Sequence, residues 1–291
     1  MKKFSTYFPS LIISVILVFM IIASALTVII NINVTAKKST ALAKENNISS
    51  SVHDELEKYF KDQYNTTGIP SQTYMDALDE NYLNSVINMY TESLFGSLES
   101  GNPTTVEIPK NQNLESNIEE FFSSYADNFG YEKDETYKKK LQETTDSAYR
   151  IIENYCDVYK YSSLKNHGVL TKVSKVYVHI NTVTVACLAV SVFLILLLLL
   201  INHRNLSVCL YWTGISSLIA GLLGTLPSIY LLSSKYFDAF VIKQPQVFKS
   251  FTSAMYGLTK AFMSVHIAIL LIGICFIVVY AVINKMLRKS K

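Results

Sequence analysis

Four long stretches of this chain contain no Asp, Glu, Lys or Arg, and that constrains its fold more than any other feature: they are Leu11–Ile32, Val176–Ile201, Leu206–Leu232 and Ala261–Ile283. A helix needs about 20 mostly apolar residues to cross a hydrocarbon core about 30 Å thick. Each stretch reaches that length. Each is expected to be a helix, because an isolated strand in lipid leaves its backbone N–H and C=O groups unpaired. The expected fold class is therefore an all-α membrane protein, with four transmembrane helices plus an extracytoplasmic helical bundle.

Charge orients the four spans. Lys2 and Lys3 precede the first, Arg204 lies in the turn between the second and third, and Lys285, Arg288, Lys289 and Lys291 follow the fourth. These three places carry seven basic residues and no acid. Residues 34–175 hold 15 basic and 22 acidic residues, a net of −7. Basic flanks stay in the cytoplasm, so both termini are expected inside and the acidic segment outside. The domain map runs as follows: cytoplasmic N-terminus 1–10, span one 11–33, extracytoplasmic helical domain 34–175, span two 176–201, cytoplasmic turn 202–205. It continues with span three 206–232, extracytoplasmic loop 233–260, span four 261–283 and a basic cytoplasmic tail 284–291. Ala23-Ser24-Ala25 has the small-residue look of a signal cleavage site, but the apolar run continues to Ile30 and favours an uncleaved anchor.

Within 34–175 the apolar residues recur at helical spacing. Val52, Leu56, Phe60 and Tyr64 form one stripe, with Ser51-Val-His-Asp54 spaced like a capping box ahead of it. Tyr82, Leu83, Val86, Ile87, Tyr90, Leu94 and Phe95 form a second stripe, after a short helix through Tyr74 and Leu78. Leu114, Ile118, Phe121, Phe122 and Tyr125 form a third, and Tyr137, Leu141, Ala148, Ile151, Ile152, Tyr155 and Tyr159 a fourth. Amphipathic helices bury their stripes against one another, which makes a bundle. Thr104–Ile108 alone has strand-like character. Residues 34–46 are expected to continue span one outward, and Val169–Lys175 to lead into span two, as unbroken helices coupling the bundle to the membrane.

Few residues carry recognisable chemistry. His179, His266 and Lys260 are the intramembrane polar candidates, with His266 expected to bond a facing Thr225, Ser228 or Thr184. Gly214, Gly221, Gly224 and Pro227 crowd span three; small residues admit close helix approach and proline kinks a helix. Cys156 is the single cysteine of the outer segment, and no cysteine pair has zinc-ligand spacing. Protease, hydrolase and phosphate-loop motifs are missing. No cofactor, metal or nucleic acid is expected, and the anticipated partners are the bilayer and another membrane or envelope protein.

One resemblance rests on named residues: Leu42-Ala-Lys-Glu-Asn-Asn-Ile48 through Val52, Leu56 and Tyr64, then Thr67-Gly-Ile-Pro70 and Tyr82-Leu-Asn-Ser-Val-Ile87. With the basic start and three clustered C-terminal spans, this outline resembles uncharacterised four-span membrane proteins of clostridia and related Firmicutes. They too carry a large extracytoplasmic helical domain between the first two spans. The resemblance implies a bacterial plasma membrane and no particular activity. The expectation is a non-enzymatic envelope protein whose outer domain binds a ligand or partner, as sensor, accessory or scaffold. The alternative is a small channel or transporter component using spans two to four.

Overall fold

The computed structural model describes residues 4–289. Lys2, Lys3 and Lys291, three of the orienting basic residues, lie outside the described residues, as do the side chains of Arg288 and Lys289. The described chain is all-helical, with no strand. Four stretches are long and apolar enough to cross a membrane: Thr6–Asn33, Val169–Ile201, Ser207–Ser233 and Pro245–Leu287. By contact the chain divides into two units. The first comprises residues 1–35, 179–240 and 255–291, the second 36–178 and 241–254.

The first unit is built on α1 (Phe4–Asn33), α10 (Ile180–Ile201), α11 (Ser207–Ser233) and most of α12 (Pro245–Lys289). Leu17, Leu194, Leu198, Cys209 and Trp212 form its buried cluster, and Tyr7 sets its ring edge-on to Trp212 at 5.3 Å. Polar bonds tie α1 to its neighbours. Asn202 Nδ2 donates to Ser10 Oγ at 3.0 Å, Ser14 and Ser216 share a 2.6 Å bond, and Ser24 and Ser191 one of 3.2 Å. In lipid each such bond contributes about 0.6 kcal/mol, and close packing supplies the rest. Phe19, Leu200 and Leu226 turn their apolar side chains outward, as lipid-facing surface requires. α11 runs on through Pro227, whose missing N–H leaves the Leu223 carbonyl without its helical partner.

The second unit holds α2 (Ala36–Glu45), α3 (Ile48–Thr67), α4 (Gln72–Met75), α5 (Glu80–Ser100), α6 (Gln112–Phe129), α7 (Glu135–Cys156), α8 (Tyr161–Asn166) and α9 (Val169–Tyr177). Its core is the expected set of stripes: Val52, Leu56 and Phe60 of α3, Leu83, Val86, Ile87 and Tyr90 of α5, Leu114 and Ile118 of α6, Ala148 and Ile152 of α7. Asp79 caps α5 by accepting from Tyr82 N at 2.7 Å, and Asp134 caps α7 by accepting from Tyr137 N at 2.9 Å, the role short acceptors play at helix starts.

Several sequence expectations need correction. Ser51 is not a cap: α3 starts three residues earlier, behind Asn47 in a left-handed conformation (φ 47°) that asparagine tolerates. Tyr64 is exposed, so the α3 stripe ends at Phe60. Thr104–Ile108 forms no strand; it lies in an irregular segment with no strand to pair with, held by tyrosines instead. Tyr161 Oη donates to the Thr104 carbonyl (2.6 Å) and Tyr82 Oη to the Pro109 carbonyl (3.0 Å).

The first junction helix is interrupted. α1 stops at Asn33, bends at Val34–Thr35, and α2 begins at Ala36. There the Asn33 side-chain amide donates to the Ile29 carbonyl at 3.0 Å, competing for the acceptor its own N–H uses. At the second junction the turn Val178–His179 between α9 and α10 keeps right-handed helical angles, and the apolar stretch Val169–Ile201 runs through it as expected. The expected loop 233–260 is largely helical. A 3₁₀ turn covers Tyr236–Ala239, and α12 begins at Pro245, where the fixed φ of proline suits a first turn. Lys249 and Lys260 break the run of hydropathy without breaking the helix, so α12 begins sixteen residues ahead of the uncharged stretch that opens at Ala261.

Candidate functional site

The third stripe does not close. On α6, Leu114 and Ile118 are buried, Phe121 and Phe122 half-buried, and Tyr125 and Phe129 are 49% and 65% exposed. α6 packs chiefly on α7 and on α4, and α4 is a single turn, too short to cover the C-terminal half of the stripe. A cleft of about 500 Å³ results within the second unit, a size typical of small-molecule sites.

Aromatic rings wall it from two sides. Tyr59 and Phe60 come from α3 and Tyr74 from α4; Phe121, Phe122 and Tyr125 face them from α6. Phe60 and Tyr74 stack with centroids 4.1 Å apart, nearly parallel. Phe121 and Tyr125 lie 6.2 Å apart, and Tyr125 continues to Phe129 at 4.6 Å. Ile69, Ala148 and Ile151 add apolar lining. Gly68, in a left-handed conformation (φ 70°), caps α3, and a Cβ there would meet nothing within 4 Å, so the chain turns tightly beside the opening.

The polar groups are few and specific. Lys140 Nζ lies 3.4 Å from Glu143 Oε2, and Lys139, outside the lining, reaches the other oxygen of that carboxylate at 3.9 Å. Gln63, Thr144 and Ser147 line the cleft and make no side-chain hydrogen bond among the described residues. Burial, and secondarily the neighbouring Tyr59, pushes the Tyr74 phenol up to about 12, so it stays a hydrogen-bond donor at neutral pH.

None of the sequence-selected residues lines this cleft. His266 is fully buried in α12. It does not bond Thr225, Ser228 or Thr184, which corrects the expectation. Its Nδ1 pairs with the Phe262 carbonyl of its own helix at 2.8 Å, and Ser228 and Thr184 likewise donate to carbonyls four residues back. His266 Nε2 and Thr225 Oγ1 are buried without a partner among the described residues. His179 is exposed at the start of α10 and Lys260 is exposed within α12. Gly214, Gly221 and Gly224 face α12: the Gly224 backbone rests on the His266 ring, and a Cβ on Gly214 would meet the Gly273 carbonyl at 3.1 Å. Cys156 is a buried free thiol, pushed up by desolvation and unreactive on that account. The one signal for the cleft in the sequence was the aromatic half of the α6 stripe, Phe121, Phe122, Tyr125 and Phe129, too aromatic and too long for its partners to cover.

The four apolar helices make this a multi-pass membrane protein by length and composition, with an additional helical unit formed mainly by the chain between the first two. Comparison with protein-family models, curated proteins and solved structures found no match.

Proposed function

We propose that this chain is a non-enzymatic integral membrane protein of a bacterial cell envelope, with both termini cytoplasmic, whose extracytoplasmic helical unit binds a ligand or partner through the aromatic cleft. The spans anchor that unit in the membrane, and the chain groups with the clostridial four-span proteins whose outline it resembles. One observation carries the reading: an open, aromatic-walled cleft of about 500 Å³ in a unit whose α3 stripe is buried from Val52 to Phe60 and whose α5 stripe is buried from Leu83 to Phe95. An uncovered set of large apolar side chains costs solvation free energy, and exposed apolar patches mark interaction sites. The orientation rests on seven basic residues without an acid at the three cytoplasmic positions.

The test is photocrosslinking in intact cells, with p-benzoylphenylalanine at position 125 and, as a control, at the exposed position 58 on α3. A discrete adduct at 125 that is missing at 58 is expected. Equal, diffuse labelling at the two positions would sink the cleft as the working site and turn attention to the alternative, conduction through spans two to four. Cysteine-labelling accessibility at 58 from outside the cell checks the orientation; protection there until lysis contradicts it.

A further inference from the structure

We infer that the cleft takes a saccharide: a neutral pyranose ring lying against the aromatic walls with its hydroxyls on the polar groups. This rests on the reading of the cleft as a binding site and specifies its ligand class. Three observations select that class. First, six aromatic rings line the cleft, and one of them, Tyr125, is 49% exposed. The axial C–H face of a pyranose is the apolar surface that packs on such rings. Second, Gln63, Thr144 and Ser147 line the same space with hydrogen-bonding groups engaged by no other residue among those described. A purely apolar ligand would strip water from these groups and leave them unpaired, at about 1–3 kcal/mol each. Third, the charged side chains that line the cleft are Lys140 and Glu143, one of each sign and 3.4 Å apart, so the lining itself carries no net charge to select a cation or an anion. The surviving class is neutral, with apolar faces and hydroxyl or amide groups around its edge. An extended peptide also carries amides, but the recognition mode that adds a strand to a sheet edge has no strand to use among the described residues.

The experiment uses the full chain in lipid nanodiscs, because maltoside and glucoside detergents present the same chemistry as the proposed ligand. Chito-oligosaccharides and cello-oligosaccharides are titrated separately, with saturation-transfer NMR reading which ligand protons touch the protein and calorimetry reading Kd. Saturation concentrated on ring C–H protons of either series is expected. Tyr125→Ala and Gln63→Ala should each weaken binding about three- to tenfold, while Lys58→Ala leaves it unchanged. Because Tyr125 and Gln63 are outside the core, folding is retained; far-UV circular dichroism verifies it. Saccharide binding untouched by both variants overturns the assignment. So does silence of both series at millimolar concentration. If in that case an apolar dye binds and loses affinity in Tyr125→Ala, the cleft stands as a ligand site and only the saccharide is wrong. If neither dye nor saccharide binds, both the inference and the reading beneath it fall.

Discussion

Gly221→Ala tests the packing of the spans through one methyl group. A Cβ on Gly221 would sit 2.5 Å from Leu270 Cβ and 2.7 Å from both Leu270 Cα and Leu270 N. Carbon atoms pack best at about 3.5–4.0 Å, so the shortfall is about 1 Å. Two of the three contacts are backbone atoms, which no rotamer change can move. α12 must therefore retreat or α11 must roll, and either motion also disturbs the close approaches at Gly214 and Gly224. Overpacking of this kind costs about 1–3 kcal/mol, and the rigid backbone contact places Gly221 toward the upper end. Replacing glycine in a helix recovers about 1 kcal/mol of propensity, leaving a net loss of about 1–2 kcal/mol. The control is Gly96→Ala in α5, where a Cβ meets nothing within 4 Å; there the propensity gain stands alone and the sign reverses. Trp212, the single tryptophan, is buried in the first unit, so denaturant titration of its fluorescence in nanodiscs reads the Gly221 effect directly. A Gly221→Ala protein as stable as the parent would refute the claim that backbone contact sets the α11–α12 distance.

Three further outcomes follow from the second unit. Burial raises the Glu153 carboxyl above its ordinary value, so the folded protein holds that proton more tightly than the unfolded chain. The group's stabilising contribution is present below its unfolded pKa and is lost as pH rises through the folded pKa. Glu153→Gln should therefore raise Tm at pH 7.5 and give no gain in acid; an equal shift at both pH values contradicts the assignment. Tyr149 Oη accepts from Asn111 N at 2.7 Å and donates to Glu115 at 3.1 Å. Tyr149→Phe should cost about 1 kcal/mol and speed amide exchange at Asn111, and unchanged exchange there would contradict a structural role for the Tyr149 hydroxyl. Leu83→Ala, at a fully buried position of α5, should lower stability by about 2–5 kcal/mol in a circular dichroism melt, with a loss below 1 kcal/mol arguing that α5 is not central.

Much of this protein was legible one residue at a time. The four apolar helices could be read because lipid makes a local demand, enough consecutive uncharged residues to pair every backbone group within one helix. The stripes Val52–Phe60 and Leu83–Phe95 could be read because a helix returns to the same face every 3.6 residues. Boundaries were harder. Lys260 looked like the start of a span and lies well inside α12, and Asn33–Thr35 looked continuous although an asparagine amide competes there with the backbone. Hydropathy marks where lipid ends, and it does not mark where a helix ends.

The site belongs to a different level. Phe121, Phe122 and Tyr125 have the spacing of core residues, and only the length of α4 and the course of α7 leave them open as a wall. His266 likewise had three hydroxyl partners on offer in sequence, and in the fold Thr184 and Ser228 bond carbonyls of their own helices while Thr225 Oγ1 is buried without a partner among the described residues. Sequence alone determined that the chain must be helical, where its apolar helices lie and which faces want burial, since those follow from composition and period. Only the tertiary structure decided which of those faces stays uncovered, because coverage depends on the reach of neighbours distant in the chain.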